Sequence, residues 1–419
     1  PRMRWTSEGR ARALAAALCV APACAFVALG VHRRWICDDG FINFRVVGML
    51  AGVDGPLGLR FADYPLAFGV GNLALAMILL DGGVRTPLST VRRALLPAGL
   101  LATVGVVITS AVTGAAAMAA LDMDWRYGLL LGAVVSSTDA GAVFGQLRHS
   151  GVRLPPRLAA TIEVESGFND PMAVSLTRTM MALIATPDAG GAEALALLAR
   201  QVGWGVTLGL GAGWLAAAGL DRLPIGHGHF GLSALLLGMA GLMLFGLAGL
   251  LDGSGFLAVY LFGLVAAARA PRVVQQALGA LDGYAWAAHA GLFLLLGLLV
   301  TPHEVWRLAG PSLAVAAALM LVGRPLAVVA CLTPLGFGGR AQALASWVGL
   351  RGAVPIVLSV YPVLAGLEGA WRFFDVAFVV VLTSLILQGP SVGWVARRLG
   401  LDGRQAAGRH MTGPAAVAA

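Results

Sequence analysis

The segment EVESGFNDPMA concentrates acidic and amide side chains inside an otherwise apolar stretch, residues 158–184. On a helix, residues four apart share a face, which places Glu165 beside Asn169 and Ser166 beside Asp170. An ionisable side chain in a membrane span costs at least about 2.5 kcal/mol on insertion scales, so a functional reason for it is expected. The spacing therefore predicts a polar site on one face of a membrane helix.

The oxygens near this site suit a cation. Pro171 has no backbone N–H, so the carbonyl of Gly167 loses its helical partner. Carboxylate, hydroxyl and carbonyl oxygens are the ligands that a hard cation prefers. A carboxylate in a low-dielectric surrounding also holds its proton more firmly than in water, so it can take either a proton or a cation. Mutual exclusion at one site is the chemistry of exchange. The alternative is an interfacial loop with solvated charges, but the flanks LAATI and MAVSLT are apolar.

A second polar stretch, GAVVSSTDAGAVF, places Asp139 directly after Ser136, Ser137 and Thr138. Serine and threonine hydroxyls can bond nearby backbone carbonyls, and glycine loosens a helix. This composition predicts a span that unwinds within the membrane and exposes oxygen atoms to an ion. The alternative is an ordinary polar contact between helices.

A third stretch, GLRGAVPIVL, carries Arg351 inside an apolar segment, and its glycines and proline predict a second interrupted helix. A buried guanidinium needs an anion, and the available partners are Asp139, Glu163 and Glu165. Arg324, which precedes a proline, is a weaker case of the same kind. One interrupted span in each half of the chain is typical of inverted-repeat transporters with a midplane site.

Composition identifies the elements that must position these residues as membrane helices. Of the 419 residues, 58% are apolar and only 12% are charged, against about 25% charged in soluble domains. Lipid requires every backbone polar group to be paired within its own segment, so we predict an all-α polytopic membrane protein. The net charge is +8, but the arginines are spread through short connectors, which excludes a nucleic-acid partner.

Little in the sequence points to other chemistry. The four cysteines lack metal-ligand spacing, and no phosphate-binding loop is present. His227 and His229 form an isolated pair that is a weak metal candidate. We therefore expect a secondary transporter rather than an enzyme, with no cofactor and no metal beyond the transported cation.

A span needs roughly 20 apolar residues, and about twelve stretches qualify. The first residue is Pro, so we expect a fragment or a processed chain, and we expect the tail, residues 399–419, to be disordered. The candidate spans lie near 11–31, 63–80, 94–121, 127–148, 158–184, 193–220, 230–251, 255–270, 284–300, 309–333, 341–364 and 374–396.

The motifs LALAMILLDGGVRT, GAVVSSTDAGAVF, ATIEVESGFNDPMAVSLT, FLLLGLLVTP and GLRGAVPIVL resemble the monovalent cation:proton antiporter-1 family, most closely its cell volume regulation, potassium/proton branch. The resemblance covers about residues 48–398. It implies an inverted-repeat fold with two interrupted helices and a homodimer in the lipid bilayer of the bacterial inner membrane. It also implies that Asp170 carries the exchanged ion and that Asn169 is typical of electroneutral members. The other matching site positions are Glu165, Ser166, Thr138, Asp139 and Arg351.

The implied activity is exchange of a monovalent cation, K⁺ or Na⁺, for a proton by alternating access. Ala140 stands where sodium-type relatives usually carry proline, which leaves the cation open. Residues 32–47 instead resemble the start of GT-C arabinofuranosyltransferases, with Asp38 and Asp39 at the position of an active-site pair. A membrane glycosyltransferase and an inactive chimeric antiporter are therefore the alternatives, with 1–47 as an atypical N-terminal segment bearing one span.

Overall fold

The computed structural model describes residues 63–186, 188–222 and 230–402. Within these ranges the chain is all-α and contains no strand, as predicted. Seven helices in them are long and apolar enough to cross a membrane, and two shorter stretches, Gly255–Arg269 and Val354–Leu364, are also apolar. The predicted span at 11–31, Asp38–Asp39, His227, His229 and residues 403–419 lie outside the described residues.

The helices follow the predicted spans closely. The 30-residue helix α5 is set apart from the seven apolar spans by the charged residues that the sequence analysis singled out. The bounds are α1 Tyr64–Arg85, α2 Leu88–Leu121, α3 Trp125–Val134, α4 Ala140–His149, α5 Pro156–Ala185, α6 Gly191–Arg222, α7 Phe230–Leu250, α8 Gly255–Arg269, α9 Pro271–Leu299, α10 Pro302–Arg307, α11 Ala309–Leu332, α12 Gly339–Trp347, α13 Val354–Leu358, α14 Val360–Leu364 and α15 Trp371–Arg398.

Both predicted helix interruptions are present. The span expected at 127–148 is divided into α3 and α4 by the non-helical residues 135–139. The span expected at 341–364 is divided into α12 and α13 by residues 348–353.

One predicted boundary was wrong. The span expected at 284–300 begins at Pro271, which occupies the first turn of α9, where proline is tolerated. The early part of this helix buries Val274, Ala277 and Leu281 and leaves polar residues on its other face. Because that half is amphipathic rather than uniformly apolar, a search for apolar runs misses it.

The chain forms two compact units. The first takes the described residues of 1–85, 199–314 and 353–380, and the second takes those of 86–198, 315–352 and 381–419. In the first unit, buried side chains of α1, α7, α8 and α9, such as Leu80, Leu237 and Phe262, form an apolar cluster. In the second unit a comparable cluster joins α4, α5, α11 and α12.

Close helix packing in the first unit depends on glycine. Helix α1 packs along α8, and a Cβ atom at Gly83 would collide with the carbonyl oxygen of Tyr260 and come within 3.2 Å of the Cα atom of Gly263. Small residues at such crossings let two backbones approach in lipid, where the hydrophobic effect does not drive helices together.

We expect Gly83→Ala to destabilise the protein by about 1–3 kcal/mol, the usual cost of adding a methyl group to a filled contact. Thermal unfolding of the purified protein in detergent measures this. Gly82→Ala is the matched control, because a Cβ atom at Gly82 meets nothing within 4 Å. Equal stability of the two variants would contradict the assigned packing.

Candidate functional site

The unwound residues 135–139 form the centre of the site, within the second unit. Ser136, Ser137 and Thr138 are all buried, with at most 6% of each residue exposed. Backbone groups that leave a helix inside a membrane must find partners in the surrounding protein. Several contacts of the site pair this unwound backbone with such partners.

Helix α5 supplies several of them. The Ser166 hydroxyl accepts a hydrogen bond from the backbone N–H of Ala140 at 3.0 Å and donates one to the carbonyl of Thr138 at 2.9 Å. The side-chain amide of Asn169 donates to the Thr138 hydroxyl. The Ser137 hydroxyl in turn donates to Oδ1 of Asp170. The three polar α5 positions thus contact the unwound segment directly.

Asp139 joins the two helix interruptions. Its Oδ1 atom caps α4 by accepting from the backbone N–H of Ala142 at 3.1 Å. Its own backbone N–H donates to the carbonyl of Leu350, in the second interruption, at 2.8 Å. A Cβ atom at Gly352 would collide with the Asp139 carboxylate. Glycine at 352 therefore lets the second interruption approach the first.

Arg351 holds the second interruption in place. Its guanidinium Nη1 donates to the carbonyl of Ser137 at 2.6 Å, and its backbone N–H donates to the Ser384 hydroxyl at 3.1 Å. Ser384 donates to Gln388, whose amide donates to the carbonyl of Trp347 at 3.0 Å. A short polar network on α15 therefore supports both the break itself, at Arg351, and the end of α12, at Trp347.

Glu165 and Arg324 form a buried ion pair. Two guanidinium nitrogens of Arg324 contact the two carboxylate oxygens of Glu165, the second contact being 2.9 Å. The side chains are 2% and 6% exposed. Arg324 Nε also donates to the carbonyl of Ala345. Such a two-point contact is the strongest geometry for a guanidinium and a carboxylate.

Asp170 forms no ion pair with any of the described residues. Asp170 is repelled by Asp139 and attracted by Arg351, but among the described residues the one hydrogen bond to its carboxylate comes from a neutral hydroxyl. Asn169 Oδ1 and Arg351 Nε are buried without a hydrogen-bond partner. The site thus brings together carboxylate, hydroxyl and carbonyl oxygens of the kind that a hard cation prefers.

The structure brings the predicted site residues together in one unit but changes one pairing. Arg351 was expected to pair with an acidic residue; among the described residues it forms no ion pair and bonds a backbone carbonyl. Arg324, predicted as the weaker case, is the residue that pairs with Glu165. The physical reason is that the unwound Ser137 carbonyl itself needs a donor. The remaining predicted residues at the site are Asp170, Asn169, Ser166, Thr138 and Asp139.

The sequence analysis missed the supporting residues on α15. Ser384 and Gln388 lie four residues apart, so they share one face of an apolar helix. That spacing was the available signal. It was overlooked because neither residue is ionisable.

Comparison with known proteins identifies the family. The family described as "Sodium/hydrogen exchanger, transmembrane" matches residues 44–398, which is most of the chain. The chain therefore belongs to the sodium/hydrogen exchanger family of monovalent cation:proton antiporters, and it is an integral membrane protein. This match gives no support to the glycosyltransferase resemblance of residues 32–47.

Two individual relatives are named as cation/proton antiporters, in agreement with the family match. The chain is 47% identical over 357 residues to the K⁺/H⁺ antiporter NhaP2 of Shewanella sp. (strain ANA-3), covering 84% of this chain and 61% of that protein. It is 44% identical to the K⁺/H⁺ antiporter NhaP of Alkalimonas amylolytica, covering 88% and 64%. The chain thus spans less than two thirds of the length of these relatives.

A solved structure supports the fold. The sodium proton antiporter MjNhaP1 of Methanocaldococcus jannaschii superposes with a TM-score of 0.74 and 21% identity. The match covers 91% of this chain and 98% of that one. The chain therefore has the fold of that antiporter.

The buried ion pair gives a stability prediction. We expect Glu165→Gln to destabilise the protein by about 3–5 kcal/mol, because it leaves the Arg324 charge buried without a counter-charge. Thermal unfolding of the purified protein measures the loss. The double variant Glu165→Met/Arg324→Met should recover most of it, since neither charge then remains. A double variant no more stable than the single one would contradict this account.

Proposed function

We propose that this protein exchanges a monovalent cation for a proton, with Asp170 as the residue that binds each in turn. The observation that carries the proposal is the Asp170 carboxylate facing the hydroxyls of an unwound helix while the neighbouring acid, Glu165, is neutralised by Arg324. Family membership and the names of the relatives favour the same chemistry. Because both relatives described above are K⁺/H⁺ antiporters, we propose K⁺ as the preferred cation.

The proposed site works by competition. When Asp170 is ionised, its carboxylate and nearby oxygens of Ser137, Thr138 and Asp139 replace part of the hydration shell of the cation. When Asp170 is protonated, its carboxyl group is neutral and no longer attracts the cation, so the cation leaves. Alternating access then exposes the loaded site to one side of the membrane at a time.

We further propose that the exchange is electroneutral. Asn169 is neutral, Glu165 is held by Arg324 and Asp139 caps α4, so Asp170 is the carboxylate left to load and unload. One proton would then replace one monovalent cation. We also propose that the protein works as a homodimer in the bacterial inner membrane, as the resemblance to the family implies.

We expect Asp170→Asn to abolish exchange, because an amide can neither take up a proton near neutral pH nor neutralise a cation. The measurement is dissipation of a pH gradient in everted vesicles when K⁺ or Na⁺ is added. Asp188→Asn is the matched control, since Asp188 is exposed beyond the end of α5. Full exchange by Asp170→Asn, at equal amounts of inserted protein, would exclude this residue as the carrier.

We also expect the K⁺ concentration that gives half-maximal exchange to rise as pH falls. Protons occupy Asp170 at low pH, so more cation is needed to displace them. The same vesicle assay, run as K⁺ titrations over a series of pH values, measures this. A half-saturating concentration that stays constant from acid to alkaline pH would show that the two ions do not share one site.

A further inference from the structure

A cavity with mostly apolar walls lies within the first unit. Its volume is about 300 Å³, and it shares no residue with the site around Asp170. Its walls combine aromatic, aliphatic and acidic side chains from α1, α9, α10, α14, α15 and the segment that leads into α10. The lining residues are Tyr64, Leu299, Thr301, Glu304, Val363, Trp371, Phe374 and Asp375.

Asp375 is the unusual residue in this cavity. It is only 5% exposed, lines the cavity, and accepts no hydrogen bond from the residues that the structure describes. Glu304 adds a second negative charge that repels it, and His303, which already contacts Glu304, attracts it more weakly. Glu304 is itself partnered, because its carboxylate lies 3.1 Å from Arg307 and 3.2 Å from His303. A buried carboxylate without a donor needs a positive partner, since burying an unpaired charge is costly.

The aromatic side chains identify the kind of partner. Trp371, Phe374 and Asp375 are spaced i, i+3 and i+4 on α15, so they share one face of the helix. Tyr64 adds a third aromatic ring from α1. A cation over an aromatic face is attracted by the ring quadrupole. The ring of Trp371 already binds one guanidinium in this way, because the Arg372 side chain lies 5.5 Å from its centroid.

We propose that this cavity binds a small organic monocation, a primary ammonium or guanidinium group carried on an apolar body. The charged group lies against Asp375, and the apolar body packs against Trp371, Phe374 and Leu299. A cavity of this size matches the small end of ligand pockets, which have apolar walls and few polar groups. A bare metal ion fits less well, because the one lining carboxylate without a hydrogen-bond donor among the described residues lies among mostly apolar side chains. The site does not depend on the proposed exchange at Asp170.

The test is calorimetric titration of the purified full chain in lipid nanodiscs with phenethylammonium, and with phenethyl alcohol as its neutral counterpart. We expect the ammonium to bind and the alcohol not to bind. Asp375→Asn should weaken binding by at least about tenfold, the usual effect of losing a hydrogen bond to a charged group. Trp371→Leu should weaken it roughly threefold through loss of the cation–aromatic contact.

Three controls make the test decisive. Glu368→Gln removes an exposed acid in the segment just before α15, and this variant should bind the ammonium as the wild type does. Asp170→Asn should also retain binding, so a failure of the proposed exchange site leaves this result unaffected. Trp371→Leu, at a residue 46% exposed, carries the test if Asp375→Asn does not fold. Equal affinity of the alcohol, unchanged binding by Asp375→Asn and Trp371→Leu, loss of binding in Asp170→Asn, or no binding of the ammonium would each overturn the proposal.

Discussion

The site depends on one constraint: a helix that unwinds within a membrane leaves backbone donors and acceptors that must be paired by other parts of the protein. Ser166 pairs with both the Thr138 carbonyl and the Ala140 N–H, and Arg351 pairs with the Ser137 carbonyl. The two interruptions pair with each other through Asp139 and Leu350. The polar side chains of this region therefore make the unwound backbone possible, and the proposed ion site is built from the same contacts.

The buried ion pair has a different role. Removing two charges from water costs more than their attraction returns unless the geometry is close to ideal, so such a pair is weak evidence for stability. In this protein the pair sets the local charge, because Arg324 neutralises Glu165, which lies one helical turn before Asn169. Of the other two acids, Asp139 caps α4 and Asp170 is the one that we propose changes its charge. The second arginine, Arg351, already donates to a backbone carbonyl.

Much of this architecture could be predicted from the sequence, because lipid leaves few options. Apolar runs predicted the helices of the described residues. Serine, glycine and proline near Asp139 and Arg351 predicted both interruptions. The amphipathic start of α9 escaped, since half of its surface is polar. The partner of Arg351 could not be predicted, because it is a main-chain oxygen and every residue has one. Asp375 also escaped, since a single acid near the start of an apolar helix resembles an ordinary interfacial charge.

The double hydrogen bond of Ser166 has a consequence for how the site could operate. Because one hydroxyl both accepts from Ala140 and donates to Thr138, sliding α5 along the unwound segment would break both bonds at once. Helix α5 and the unwound segment would therefore move together as one body. An ion carried there would keep the same ligands throughout the cycle. Discrimination between K⁺ and Na⁺ would then rest on the same set of oxygen ligands from either face of the membrane.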